Sequence, residues 1–301
     1  MKNKMGLWGR LAIFSTALIW GTSFVILKNA IDGLGVLWVL AMRFIISAVI
    51  LLALANKRLK KMSRESVKGS VLIGICLAVA YIVQTYGLKY TTPGKNAFLT
   101  SVYCVMVPFF AWLFYKRKPK MHNIAAAFMC VAGIGLVALD SGFDRINIGD
   151  VLTLMCGVFY AMQIILMEQY ISGCDSLSVS AVEFSTAALI CLAGAVIFEG
   201  KPILPQGGQI FSILYLAVMC TALCFFLQAW GMKYTPSSTA AMLMTLEAVF
   251  GVIFSVIIYH EQVTPRLLAG FALIFIAVVL SEAGPEIFLG AKTYIRSPHE
   301  E

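Results

Sequence analysis

Apolar runs of about 20 residues follow one another along almost the whole chain, and nothing else constrains its fold as strongly. A helix of that length crosses the ~30 Å hydrocarbon core of a bilayer, and in lipid only helices and closed barrels satisfy their own backbone hydrogen bonds. Charged residues, prolines and glycines divide the sequence into ten such runs, at roughly 7–28, 35–55, 68–89, 93–115, 121–139, 149–171, 177–198, 209–231, 236–259 and 264–284. Of the 301 residues, 60% are hydrophobic and 13% charged, against about 45–50% and 25% in soluble domains. The connections are too short for an inserted soluble domain. The expected fold class is therefore an all-α polytopic membrane protein with ten transmembrane helices. Lys2, Lys4 and Arg10 precede the first run as in a signal peptide. That run has no small-x-small cleavage site and continues through Phe24, Val25 and Ile26, so it reads as an uncleaved anchor.

The formal charge of +8 sits in short clusters between apolar runs, which argues for orientation in a bilayer and against a nucleic-acid partner. With the N-terminus in the cytoplasm, sixteen Lys and Arg fall in inside segments, most densely at 57–68 and 116–120. Six fall in outside loops, which also hold Asp140, Asp144 and Asp150. Trp8, Trp38, Trp112 and Trp230 lie near span ends, as an aromatic belt requires, whereas Trp20 lies mid-span.

The chain also repeats itself. Gln84-x-x-Gly87-x-Lys89-Tyr90-Thr91 recurs as Gln228-x-x-Gly231-x-Lys233-Tyr234-Thr235, 144 positions later, and that offset pairs Ala97 with Ala241 and Tyr115 with Tyr259. Upstream, an offset of 140 pairs Val39, Ala41 and Phe44 with Val179, Ala181 and Phe184. The division expected is a first five-helix repeat over 1–144, a second over 145–285 and a cytoplasmic tail over 286–301. Five is odd, so the second repeat enters the bilayer from the opposite side and the two are inverted, an architecture of secondary transporters with their substrate site at the midplane.

Several motifs carry a more specific likeness: Ile19-Trp20-Gly21-Thr22-Ser23-Phe24, Arg43-Phe44, Lys89-Tyr90-Thr91-Thr92-Pro93, and Leu246-Glu247-Ala248-Val249-Phe250 running on to His260-Glu261. Together they resemble the EamA family of the drug/metabolite transporter superfamily, over nearly the whole chain. The resemblance implies the five-plus-five inverted fold, a bacterial plasma (inner) membrane location and movement, often export, of amino acids or related metabolites. Family members often carry Pro after the ninth-span Glu and Gly before the span-ending Glu, where this chain has Ala248 and His260.

An ionisable group in the hydrocarbon is costly and marks a candidate site. Glu247 lies about 16 Å into its span, at the midplane, and its counterpart Tyr103 reaches about 15 Å from the other side. These two are either substrate-binding residues or a hydrogen-bonded pair locking the halves. Arg43 and Glu183 are counterparts of opposite charge, about 12 Å and 9 Å deep, which need not touch. Each is open to a structural reading as well as a substrate-binding one, the arginine also to snorkelling. Trp20 and its counterpart Tyr160 read as cavity wall or as core. Gln84 and Gln228, near opposite membrane faces, read as gates or helix-to-helix hydrogen bonds. Pro108 should free the carbonyl of Cys104 and kink span 4.

Seven of the eight cysteines lie in apolar segments without CxxC or Cys/His groupings, so no metal and no cofactor is expected. No nucleotide-binding loop is present. The three histidines lie at span ends or in the tail, which speaks against an intramembrane enzyme. A receptor or scaffold would not need a midplane carboxylate. Arg43 reads as the one well-buried cation, which disfavours phosphate esters and favours zwitterionic, amine-bearing or aromatic solutes. The partners expected are a small-molecule substrate, the lipid bilayer and protons as coupling ion, with a homodimer admissible.

The charge split predicts that both termini and the 56–68 loop are cytoplasmic while 140–149 faces outward. Single cysteines in a cysteine-free background, labelled from each side, should react accordingly; outward labelling of the 56–68 loop would reverse the orientation.

Overall fold

The computed structural model describes residues 2–138, 147–170, 175–232, 234–235 and 237–295. Its elements are α1 (Lys2–Ile31), α2 (Val36–Leu59), α3 (Arg64–Tyr90), α4 (Pro93–Ser101), α5 (Tyr103–Tyr115), α6 (Met121–Ala138), α7 (Ile148–Tyr170), α8 (Ser176–Gly194), α9 (Gly208–Leu214), α10 (Cys224–Met232), α11 (Ser237–Tyr259) and α12 (Pro265–Ile295). Two π-helical stretches, Ala195–Glu199 and Tyr215–Leu223, continue α8 and join α9 to α10. No strand occurs among the described residues. Among the described residues eight helices are long and apolar enough to cross a membrane, and two shorter apolar stretches, Leu243–Tyr259 and Pro265–Ser281, lie where the ninth and tenth spans are expected.

Two boundaries differ from expectation. Span 4 is interrupted at Val102, between α4 and α5, one and a half turns before Pro108. The carbonyl of Cys104 that Pro108 leaves free accepts from the Ser281 hydroxyl of α12 at 3.4 Å. The helix carrying span 10 continues to Ile295, into the segment expected as a tail. Pro236, Cys174, Asp140 and Asp144 lie outside the described residues.

The helices interlock across the two sequence halves: α2 packs on α8, α3 on α7 and α8, α1 on α10 and α11, α4 on α11, and α6 on α12. One buried apolar cluster joins α1, α2 and α3 to α8 and the segment around α9, and a second joins α4, α5 and α6 to α11 and α12. Glycines allow close backbone approaches between the helices. A Cβ on Gly149 would sit 2.7 Å from the Gly87 carbonyl oxygen, and one on Gly231 would sit 2.8 Å from that of Gly9. Small residues let membrane helices pack backbone to backbone, where dispersion rather than the hydrophobic effect holds them.

Helix ends are tied by buried or half-buried charged side chains at the end of the bundle bearing the α1–α2 connection. Glu199 accepts from the backbone N–H of Leu37 and of Trp38, both at 3.0 Å, satisfying two orphan donors of α2. Glu261 does the same for α4, accepting from the Gly94 N–H at 2.9 Å and from the Thr92 and Ser255 hydroxyls. Lys28 is buried and donates to the carbonyls of Leu88, Lys89 and Thr91 at 2.6–3.0 Å, closing α3. At the opposite end Asp175 caps α8 through the Ser178 N–H and pairs with Arg58 at 2.9 Å. Partial burial works against the charged form of Asp175, yet these hydrogen bonds hold its carboxyl below the usual range.

Gly149→Val should force α3 and α7 apart and cost about 1–3 kcal/mol, the usual range for overpacking. Gly135→Ala, whose Cβ would meet nothing within 4 Å, should leave stability unchanged or slightly raised. Denaturant unfolding of both variants in micelles compares the two directly.

Candidate functional site

A cavity of about 180 Å³ lies among α1, α2, α3, α4, α5, α7, α10 and α11. Its eighteen lining residues include seven of the eight expected at the site: Trp20, Arg43, Gln84, Tyr103, Tyr160, Gln228 and Glu247. The wall has a pattern of its own. Trp20 and Tyr160, Ser23 and Gln163, Phe24 and Ile164, and Leu27 and Met167 stand 140 positions apart. Tyr81 and Phe225, Gln84 and Gln228, Thr100 and Met244, and Tyr103 and Glu247 stand 144 apart. Only Arg43 and Leu77 line the cavity without their counterparts, Glu183 and Thr221, and both of those lie immediately behind its wall.

Glu247 reaches the cavity from the middle of α11. Arg43 is the basic group that acts on it electrostatically, without a direct ion pair between them. Arg43 is 1% exposed, which excludes snorkelling. Its Nε donates to the Thr221 hydroxyl at 3.0 Å, one Nη lies 3.4 Å from the Tyr81 hydroxyl, and the guanidinium carbon lies 4.9 Å from the Tyr81 ring centroid. Among the described residues the rest of its planar fork has no hydrogen-bond partner, which leaves it the geometry to meet a carboxylate.

Aromatic rings form much of the remaining wall. Tyr81 and Tyr103 each pack on Tyr160, with ring centroids 5.7 and 5.8 Å apart. Trp20 meets Phe225 edge-on at 5.8 Å and donates its indole N–H to the Cys220 carbonyl at 2.8 Å. Trp20 is thus both packed and exposed to the cavity. Gln84 and Gln228 both line this wall. Gln84 donates to Thr100 at 3.0 Å and accepts from Tyr160 at 2.9 Å, while Gln228 lies 3.4 Å from the sulfur of its own counterpart partner, Met244.

The π-helical stretch Tyr215–Leu223 anchors two of these groups. Wide π turns release backbone groups and recur at functional sites. Here Cys220 offers its carbonyl to Trp20, and Thr221, bonded back to the Leu216 carbonyl at 2.9 Å, receives Arg43. The corresponding residues 71–79 of α3 are ordinary α-helix.

Glu183 does not line the cavity. It is fully buried in α8 and accepts from the Gln163 amide at 2.5 Å. Lys28 and Lys95 are buried as well as Arg43, which corrects the expectation of a single buried cation. Neither lines the cavity. The thiols of Cys220 and Cys224 face the carbonyls of Ile19 and Thr16. Sequence reasoning missed Tyr81, Gln163, Thr100 and Thr221; they are the repeat counterparts of Phe225, Ser23, Met244 and Leu77, a relation that becomes informative once one member of each pair is known to line the cavity.

Eight helices apolar and long enough to cross a membrane, two shorter apolar stretches, and among them a cavity with one guanidinium, one carboxylate and an aromatic wall define a multi-pass membrane protein with an interior cavity. The profile of the EamA-like transporter family matches residues 7–139 and again 147–282, and the chain belongs to that family, within the drug/metabolite transporter superfamily. An uncharacterized transporter of Archaeoglobus fulgidus is 31% identical over 274 residues, covering 91% of this chain and 85% of that one. The uncharacterized transporter YoaV of Bacillus subtilis is 24% identical, covering 90% and 95%. One solved crystal structure superposes with a TM-score of 0.68 at 15% identity, covering 93% of this chain and 98% of its own, a likeness of fold. The left-handed backbone of His260, φ 55°, stands where the family resemblance has Gly, and Lys116, 144 positions earlier, has φ 57°.

Thr221→Val keeps the shape of the side chain but leaves a buried guanidinium donor unpaired, at a cost of about 1–3 kcal/mol. Thermal unfolding in detergent should fall for this variant and recover for Thr221→Ser.

Proposed function

We propose that this protein is a secondary active transporter that exports small metabolites, among them amino acids and amine-bearing or aromatic solutes, by alternating access between two inverted five-helix repeats. The observation that carries the reading is the cavity wall, in which sixteen of the eighteen residues fall into pairs at the two repeat offsets. A site built at the junction of two equivalent halves opens to one side or the other when the halves exchange conformations. The helix pairings support the same reading, because α3 against α7 and α1 against α10 become equivalent once the repeats are exchanged. So do the glycine contacts between them, Gly87 with Gly149 and Gly231 with Gly9.

In this reading the aromatic wall of Trp20, Tyr81, Tyr103, Tyr160 and Phe225 takes the apolar body of the solute. Glu247 takes an ammonium group and Arg43 a carboxylate where one is present. Glu247 binds the solute cation in one state and a proton in another, so that export of an amine and import of a proton compete for one carboxylate. Both termini are in the cytoplasm and the protein sits in the plasma membrane.

Vesicles reconstituted with purified protein, loaded with a panel of labelled amino acids, amines and aromatic metabolites and given a pH gradient, test this. Glu247→Gln keeps size and most hydrogen bonding while removing the charge. Flux should fall at least tenfold, each tenfold being about 1.4 kcal/mol, and lose its dependence on the gradient, in monodisperse protein. Unchanged flux and pH dependence would make Glu247 a structural residue and end the proposed mechanism.

A further inference from the structure

Glu183 is a carboxyl group with no role in the mechanism above. It is 0% exposed, set in α8 one side chain behind the cavity wall. Its Oε1 accepts from Gln163 Nε2 at 2.5 Å, and its Oε2 is buried without a hydrogen-bond partner. Toward the middle of the helices around it the charged and titratable groups are Arg43 on α2, Tyr81 and Cys76 on α3, Tyr160 and Cys156 on α7 and Cys191 on α8 itself; Tyr86, Lys89 and Tyr90 of α3 and Asp150 and Tyr170 of α7 lie toward the helix ends. Arg43 bonds Thr221 and Tyr81 and makes no ion pair with Glu183, and Tyr160 bonds Gln84. Lys57, Arg58, Arg64, Glu65 and Lys68 are at the far ends of α2 and α3, where Arg58 pairs with Asp175. Among the described residues no cation therefore pairs with Glu183, and a buried carboxylate with one hydrogen bond is poorly stabilised.

Gln163 connects this group to the cavity, which it lines. An amide carries a donor end and an acceptor end. While Glu183 is ionised, the Gln163 NH₂ is held toward it, and the amide oxygen is the group left for the cavity. When Glu183 is protonated, its hydroxyl needs an acceptor, and the Gln163 oxygen supplies one if the amide turns over. That turn presents the NH₂ to the cavity instead.

We infer that Glu183 is a second proton-binding site, lodged behind the cavity wall, and that the Gln163 amide relays its charge state to the cavity by exchanging acceptor for donor. A proton from cavity water forms an O–H bond on the Glu183 carboxylate, leaving it neutral, and returns to water on release. The ionised state then offers the cavity an acceptor suited to an ammonium, and the protonated state a donor that repels one. This consequence for solute binding rests on the transport reading, whereas the protonation itself does not.

Infrared difference spectra between acid and alkaline pH, recorded on the full-length protein in lipid bilayers without any solute, test the inference. The C=O stretch of a protonated carboxyl should appear at acid pH in the wild type, persist in Glu247→Gln and lose one component in Glu183→Gln. Gln163→Met should retain that component at a shifted frequency, because the carboxyl has lost its one hydrogen-bond partner, and it reports the site even where Glu183→Gln does not fold. Identical spectra for wild type and Glu183→Gln would overturn the inference. So would a component lost only in Glu247→Gln, or a Gln163→Met spectrum superimposable on the wild type. Failure of every solute to move in the vesicle assay would sink the transport reading while leaving these spectra unaffected.

Discussion

Hydrocarbon offers no water to a polar group, and most of this structure follows from that shortage. A backbone N–H or C=O that would be solvated in a soluble protein must here find its partner within the chain. Helices solve the problem along their length and leave it at their ends. Lys28, Glu199 and Glu261 solve it there, each lending a charged side chain to the terminus of a different helix. Because the borrowed termini belong to α3, α2 and α4, the same bonds fasten α1, the π-helical end of α8 and α11 to their neighbours. Satisfying the backbone and assembling the bundle are one event.

The shortage also explains why so few polar side chains remain for function. Arg43 can lie buried only because Thr221 and the Tyr81 ring receive it, and Thr221 is free to do so because span 8 is wound as a π-helix at that point. The cavity inherits its chemistry from such exceptions. Its wall is nearly symmetric in position and asymmetric in residue type: a phenol at Tyr103 answers a carboxylate at Glu247, and the guanidinium of Arg43 answers a carboxyl hidden behind the wall at Glu183. Equivalent positions that have diverged in chemistry can hold an unsymmetrical solute, whereas identical ones would offer the same group twice. The interlocking of the two apolar clusters, each drawing helices from both sequence halves, makes it hard to move one half without reshaping this cavity.

Much of this was legible in the amino-acid sequence, because the relevant signals are local or periodic. Span number and length follow from apolar runs measured against a fixed membrane thickness. The Gln/Gly/Lys/Tyr/Thr block announced the repeat without any structure, and depth counted along a helix placed Glu247 and Tyr103 together in the wall they share. Depth along one axis is all that such counting gives. It did not show that Gln84 and Gln228 line the cavity, and it treated Glu183 and Arg43 alike, although of these two only the arginine lines the cavity.

What the sequence by itself determined, then, is the axial coordinate: which segments cross, how far each residue lies from an end, and which residues correspond between the halves. The tertiary structure alone decided the azimuth, meaning which way each side chain turns about its helix and which helix it meets. That is why the Thr221 seat of Arg43, the Gln163 screen in front of Glu183 and the break at Val102 had no sequence signal. A strongly apolar helix in lipid lacks the polar face that betrays orientation in a soluble bundle, so its rotation is fixed by close packing of small residues and by scattered polar contacts with distant segments.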